Sequence, residues 1–182
     1  MTIDVSQKNR VLILALIAAT AAAGCTREST PSEMDLVVPV FSNGGGQSGF
    51  GTHMTGAEET PPRPSAADGQ LILKPIKGER ALRYRLLVAN IDNVTQAHIH
   101  FAVPGVPGPV IAWLYPAAPP AALIPGRSNG VLAEGVITDA NVVGPLAGQG
   151  LAALVGAIEA GNAYANVHTT QFPPGEIRGQ VH

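Results

Sequence analysis

Twenty-one glycines and sixteen prolines are scattered through this 182-residue chain, between short apolar runs. Helices longer than a few turns have little room in such a pattern, whereas short strands joined by turns fit it well. Ala81 to Ala89 (ALRYRLLVA) sets Leu82, Tyr84, Leu86 and Val88 on one side and Arg83 and Arg85 on the other. That is the two-residue period of a half-buried strand. Further strands are predicted over Gly69–Ile76, Thr95–Ala102, Val110–Tyr115, Val131–Thr138, Ala163–Thr169 and Glu176–Val181. Asn90 to Asn93 is expected to turn the chain, Pro104 to Pro109 forms a turn cluster, and Pro116 to Asn129 reads as a loop. The one helical pattern is Gly150 to Ala160. Leu151, Leu154, Val155 and Ile158 recur there at helical spacing, and Gly161 is a natural stop. About seven strands and one short helix predict an all-β, Greek-key β-sandwich.

The N-terminus has a different character. Lys8 and Arg10 precede Val11 to Ala23, an apolar run with Thr20 as its one clearly polar residue. A basic start followed by a short apolar stretch and small residues describes an export signal. A membrane-spanning helix needs about 20 apolar residues. The run ends in Ala22-Ala23-Gly24-Cys25, which resembles the bacterial lipoprotein signal, with alanine at position 22 where leucine is usual. Cys25 is the only cysteine, so no internal disulfide is available to it, and lipidation gives it a role. Thr26 follows, not the aspartate that often retains such proteins at the inner membrane. The expectation is a signal peptide over residues 1–24, a flexible tether over 25–49 and a folded domain over 50–182. Export would end with a lipid anchor in the cell envelope, at the outer membrane where a cell has two. Within the tether, Leu36 to Phe41 could add an edge strand, with Pro39 barring it from a sheet centre.

Charge and motifs narrow the function. Removing residues 1–24 takes away Lys8, Arg10 and Asp4 from the eleven Lys/Arg and thirteen Asp/Glu. Nine and twelve remain, a net charge near −3. Arg80, Arg83 and Arg85 fall along one strand, so nucleic acid is not an expected partner. There is no G-x-S-x-G, no His-Glu-x-x-His and no free cysteine nucleophile once Cys25 is acylated. Glu58-Glu59, read as neighbours on a strand, would point to opposite sides and make a poor catalytic pair. The expected partners are the membrane, through the anchor, and an unknown protein or envelope ligand.

Three segments resemble one family. Thr55 to Pro62 (TGAEETPP) is similar to the LTGAEEVPP opening of the CHRD domain, with Met54 in place of its leucine. Ala97 to His100 and Gly105 to Val110 resemble its central segment. Gly161 to Thr169 (GNAYANVHT) and Gly175 to Gln180 (GEIRGQ) resemble its C-terminal signature. The resemblance runs from about Phe50 to Val181. It implies an immunoglobulin-like or superoxide-dismutase-like β-sandwich, with no settled activity for bacterial members; without a catalytic motif, a cell-envelope binding or structural module is the first expectation.

Residues i and i+2 of a strand share a face, so His98 and His100 project together. The same H-x-H device occurs on a strand of copper–zinc superoxide dismutases. His168 shares its strand face with Tyr164 and Asn166, and Glu176 opens the next strand. If the sheet joins these strands, His98, His100, His168 and Glu176 offer three nitrogens and one oxygen. Such a set suits zinc, or copper with an open position. The first reading, to which the metal is the alternative, is a structural network in which these groups, with Tyr164, Asn166 and Arg178, hydrogen-bond to loops, and in which Arg178 pairs with Glu176. His53 and His182 are expected at the surface.

Overall fold

The computed structural model describes residues 49–182. The signal segment, Cys25, nearly all of the tether and the Leu36–Phe41 patch lie outside the described residues. Seven strands and one helix follow in the order β1 (Phe50–Thr55), β2 (Asp68–Pro75), β3 (Ala81–Phe101), β4 (Val110–Tyr115), β5 (Ile124–Thr138), α1 (Gly150–Glu159), β6 (Ala163–Thr169) and β7 (Ile177–Gln180). The fold is all-β with one short helix, as expected.

Pairing runs β2–β1–β7–β6–β3 and returns from β3 to β2, so the sheet closes. The 21-residue β3 makes this possible. Its first half, from Ala81 to Ala89, pairs with β2, and its second half, from Val94 to Phe101, pairs with β6. On its free side it carries β5 and then β4. The turn expected at Asn90–Asn93 is therefore a bend within one strand. Asn90 and Asn93 take φ of 55° and 53°, left-handed conformations that asparagine tolerates better than most residues. Ladder shifts flank them between Val88 and Ile91 and between Asp92 and Val94. The presumed loop at Pro116–Asn129 is also shorter than expected, because β5 begins at Ile124 and pairs back as far as Val94.

Alternation in β3, β6 and β7 separates two faces. Ala97 and Ile99, Ala163, Ala165 and Val167, and Ile177 and Val181 face the apolar core, all at 0 % exposure. The core also takes Leu71, Leu73, Leu82, Leu86 and the apolar face of α1. That helix is fixed at its start by Asp139, whose Oδ1 accepts the Leu151 N–H at 2.7 Å. Gly150 precedes Leu151 at φ 72°, and a β-carbon there would press on the same Asp139 oxygen. The other face of the three strands carries His98 and His100, Tyr164, Asn166 and His168, and Arg178 and Gln180. The ladder sets them in rows, His98 opposite Asn166 and Asn166 opposite Arg178.

Ile99 lies between the two histidines in sequence but on the opposite face, in the core. Ile99→Ala is expected to lower stability by about 2–5 kcal/mol, the usual cost of emptying a packed aliphatic site. Urea unfolding checks this, and a loss below about 1 kcal/mol would contradict the assignment of faces.

Candidate metal centre

The second face of β3, β6 and β7 points away from the core but is not open to water. His98, His100, His168, Asn166 and Arg178 are 2–7 % exposed. Three connecting segments lie over it. Residues 56–66 bring Glu59, Thr60 and Ser65; residues 102–109 bring backbone carbonyls; residues 170–175 bring Pro173. Burying polar groups costs free energy unless each finds a partner. Partners are therefore the measure of what this layer does.

On β7, Arg178 is well satisfied, whereas Gln180 keeps a buried Oε1 without a partner. Arg178 donates to the Val106 carbonyl at 3.0 Å, to Val103 at 3.4 Å and to the Thr60 hydroxyl at 3.5 Å. Its guanidinium lies 3.4 Å from the centre of the Tyr164 ring, and the other side of that ring stacks on His100 at 4.8 Å and 8°. A cation over an aromatic face is favourable, the more so when desolvated. Among the described residues no carboxylate comes within ion-pair distance of Arg178. Glu176 does not pair with it, because its two oxygens accept from Ser65 Oγ at 2.6 Å and from Thr169 Oγ1 at 2.7 Å. Gln180 donates to the carbonyls of Gly161 and Ala102 at 2.7 and 3.0 Å.

The histidines are different. His100 Nδ1 is 2.8 Å from the Gly108 carbonyl and His168 Nδ1 is 2.8 Å from the Pro173 carbonyl. A carbonyl only accepts, so each Nδ1 carries the proton and each Nε2 is a bare lone pair. His98 Nδ1 lies 3.2 Å from His168 Nε2 and so donates to it, leaving its own Nε2 bare. His98 Nε2, His100 Nε2 and the Asn166 Oδ1 are buried and have no hydrogen-bond partner. The three imidazoles offer donor atoms that all lie within 4.8 Å of one another. Two nitrogens at about 2.0–2.1 Å from a tetrahedral ion would stand about 3.3 Å apart. The 3.2 Å between His98 and His168 therefore fits a shared ion as well as it fits a hydrogen bond. Glu176 stands outside this set, held by Ser65 and Thr169.

Burial holds all three rings neutral. Desolvation, followed by repulsion from His168 and His100, pushes His98 down to about 3. Desolvation pushes His100 down to about 4 against the opposing pull of the Gly108 carbonyl, and it lowers His168 as well. Neutral imidazole is the form that binds metals.

Sequence reasoning missed Glu59. It was read as one of two opposed strand residues, but Gly56–Glu58 form a turn of 3-10 helix. Glu59 is 7 % exposed, and its oxygens take N–H groups from Thr60 at 3.1 Å and Asn166 at 3.4 Å. Burial raises its carboxyl above the usual range. The strand-breaking Gly56 and Pro61-Pro62 around it were the available signal. Trp113, the single tryptophan, was also overlooked; its indole stands nearly perpendicular to His98 at 4.3 Å. His53 and His182 are exposed, and His53 Nε2 sits 3.0 Å from Asp68.

A closed β-sheet domain with a buried layer of neutral imidazoles on its outer face is the class these features define. The CHRD domain family model matches residues 50–181, and the chain belongs to that family. Neither a curated protein nor a solved structure matches it significantly.

In the unfolded chain each of these histidines protonates near pH 6.5; in the fold they resist doing so. The unfolded state then binds more protons below pH 6.5, so stability is full above that pH and declines as pH falls toward 4 and 3. At pH 5 the metal-free protein is expected to lose about 2 kcal/mol for each of His98 and His100 relative to pH 7.5. Urea midpoints with chelator present, at the two pH values, test it. His98→Leu should flatten the dependence.

Proposed function

We propose that this protein is a lipid-anchored cell-envelope module that holds a transition-metal ion, copper or zinc, between His98, His100 and His168. The observation that carries this reading is that three buried imidazoles offer donor atoms within 4.8 Å of one another, with His100 Nε2 among them left without a hydrogen-bond partner. A purely structural network would spend that lone pair. The carbonyls of Gly108 and Pro173 act as the outer hydrogen-bond partners that usually orient metal-binding histidines, fixing the tautomer that leaves Nε2 free. With an ion in place, His98 would carry its proton on Nε2 and offer Nδ1. Imidazole nitrogen suits both copper and zinc.

The rest of the reading comes from the sequence. Cys25 would carry the acyl anchor, placing the domain on the envelope membrane, at the outer membrane where there are two. An envelope protein or other ligand would meet its surface. The closed sheet, in which the bent β3 pairs with β2 through its first half, with β4 and β6 through its second and with β5 along its free side, supports a Greek-key sandwich of the immunoglobulin-like or superoxide-dismutase-like kind.

Protein purified without chelators is expected to contain one equivalent of metal, and His98→Ala and His168→Ala should each abolish it. A folded wild type that takes up neither copper nor zinc would refute the metal reading. The anchor has its own test, in fractionated cells making Cys25→Ser. Release of that variant into the soluble fraction is expected, and full membrane retention would contradict lipidation at this residue.

A further inference from the structure

Asn166, like His98, His100 and Gln180, is a group of the buried layer with an atom left over. It faces His98 across one ladder and Arg178 across the other, and it is 2 % exposed. Its Nδ2 donates to Glu59 Oε1 at 3.4 Å, while its Oδ1 has no donor. An amide is planar with its two ends opposed, so engaging Nδ2 with Glu59 turns Oδ1 away from that carboxylate. The reverse orientation would set Oδ1 against a carboxylate oxygen, acceptor against acceptor. Glu59 is itself anchored by the Thr60 N–H on its other oxygen. The chain at Gly175 closes over the pair: φ there is 136°, and a β-carbon would collide with both Glu59 Oε1 and Asn166 Nδ2. The His100 ring stands on the same strand face, two residues from His98, the cross-strand neighbour of Asn166. With Nδ1–H given to Gly108, the ring's other nitrogen is an acceptor too. Two buried acceptors without a proton between them ask for a cation.

We infer that the Asn166 amide oxygen is the fourth donor to the ion held by His98, His100 and His168, and that Glu59 is the positioning residue that turns it there. This rests on the metal reading above and sharpens it. Three neutral nitrogens and one neutral oxygen make a complete four-coordinate set for zinc or for copper(II). A complete set leaves no open position for a substrate, as in structural rather than catalytic zinc sites. The ion would then be held, not used to turn over a small molecule. Glu176, the acid that strand spacing favours as fourth ligand, is left to tie Ser65 and Thr169 together.

Cobalt(II) alone, titrated into the purified full chain, tests the assignment, because its visible absorption reports coordination number and donor type. Wild type is expected to show the intense bands of a four-coordinate ion. Asn166→Ala should weaken cobalt binding by about 10–100-fold and change the bands. Asn166→Asp, which keeps an oxygen at the same reach, should recover most of the affinity with shifted bands. Glu59→Gln should weaken binding less and leave the band positions in place. An Asn166→Ala protein with wild-type affinity and spectrum overturns the inference while leaving the three-histidine site standing. Should that variant not fold, Asn166→Asp decides, and an unshifted spectrum overturns the inference. A folded wild type that binds no cobalt, copper or zinc overturns both readings together.

Discussion

Every residue of β6, Ala163 to Thr169, is buried. A strand has two faces, so this one must be covered twice. Its apolar side, Ala163, Ala165 and Val167, is covered by the core of the domain. Its other side, Tyr164, Asn166 and His168, is polar and cannot be covered by hydrocarbon at tolerable cost. It can be covered only by groups that hydrogen-bond, and those come from the three Gly- and Pro-rich connections. Loops usually lie in water because their backbone groups need it. Here carbonyls of Ala102, Val103, Val106, Gly108, Gly161 and Pro173 find side-chain donors instead. The polar face thus determines how the loops lie, and the loops in turn exclude solvent from the face.

Charge is handled with the same economy. A guanidinium out of water is expensive, and a carboxylate partner often fails to offset that cost. Arg178 instead spreads its charge over two carbonyls, a hydroxyl and the Tyr164 ring. Tyr164 carries the stack onward to His100 on the next strand. The row Arg178–Tyr164–His100 runs across three adjacent strands. A rigid aromatic layer of this kind fixes the His100 ring in the plane that lets Nδ1 reach Gly108. Precision at the imidazole therefore originates two strands away.

Much of this was legible in the sequence, and the reasons are specific. H-x-H at 98–100 and the alternation of Tyr164, Asn166 and His168 placed five side chains on their correct faces, because a two-residue period survives any tertiary context. The distance between the two runs was not legible: it depends on the β3–β6 register, which sets His98 opposite Asn166. Glu59 was misjudged because an extended conformation was assumed where Gly56 starts a tight turn. Asn90–Asn93 was read as a reversal because its composition is that of a turn, yet tertiary pairing on both sides kept the strand going through two left-handed asparagines. The loop carbonyls that orient His100 and His168 could not be seen at all. Main-chain groups leave no mark in a residue string.

Within one buried layer, then, some groups are fully matched and others are not. Glu176 receives two hydroxyl donors at 2.6 and 2.7 Å. Thr60 serves Arg178, and Ser65 serves Glu176 and in turn accepts the Ala67 N–H at 3.0 Å. Ser65 shows that a covering segment can supply a hydroxyl donor, and a further serine or threonine beside the imidazoles could have satisfied one of the acceptors there. What the chain places there is more acceptors, His100 Nε2 and Asn166 Oδ1, while Gln180 Oε1 is left over elsewhere on the same face. Selection for stability alone has no reason to leave such atoms unmatched, since each orphaned group costs about 1–3 kcal/mol. Acceptors gathered without donors, neutral by burial and oriented by carbonyls behind them, cost least when a cation stands among them. That cost in the empty protein supports reading the layer as a site and not as a fastening.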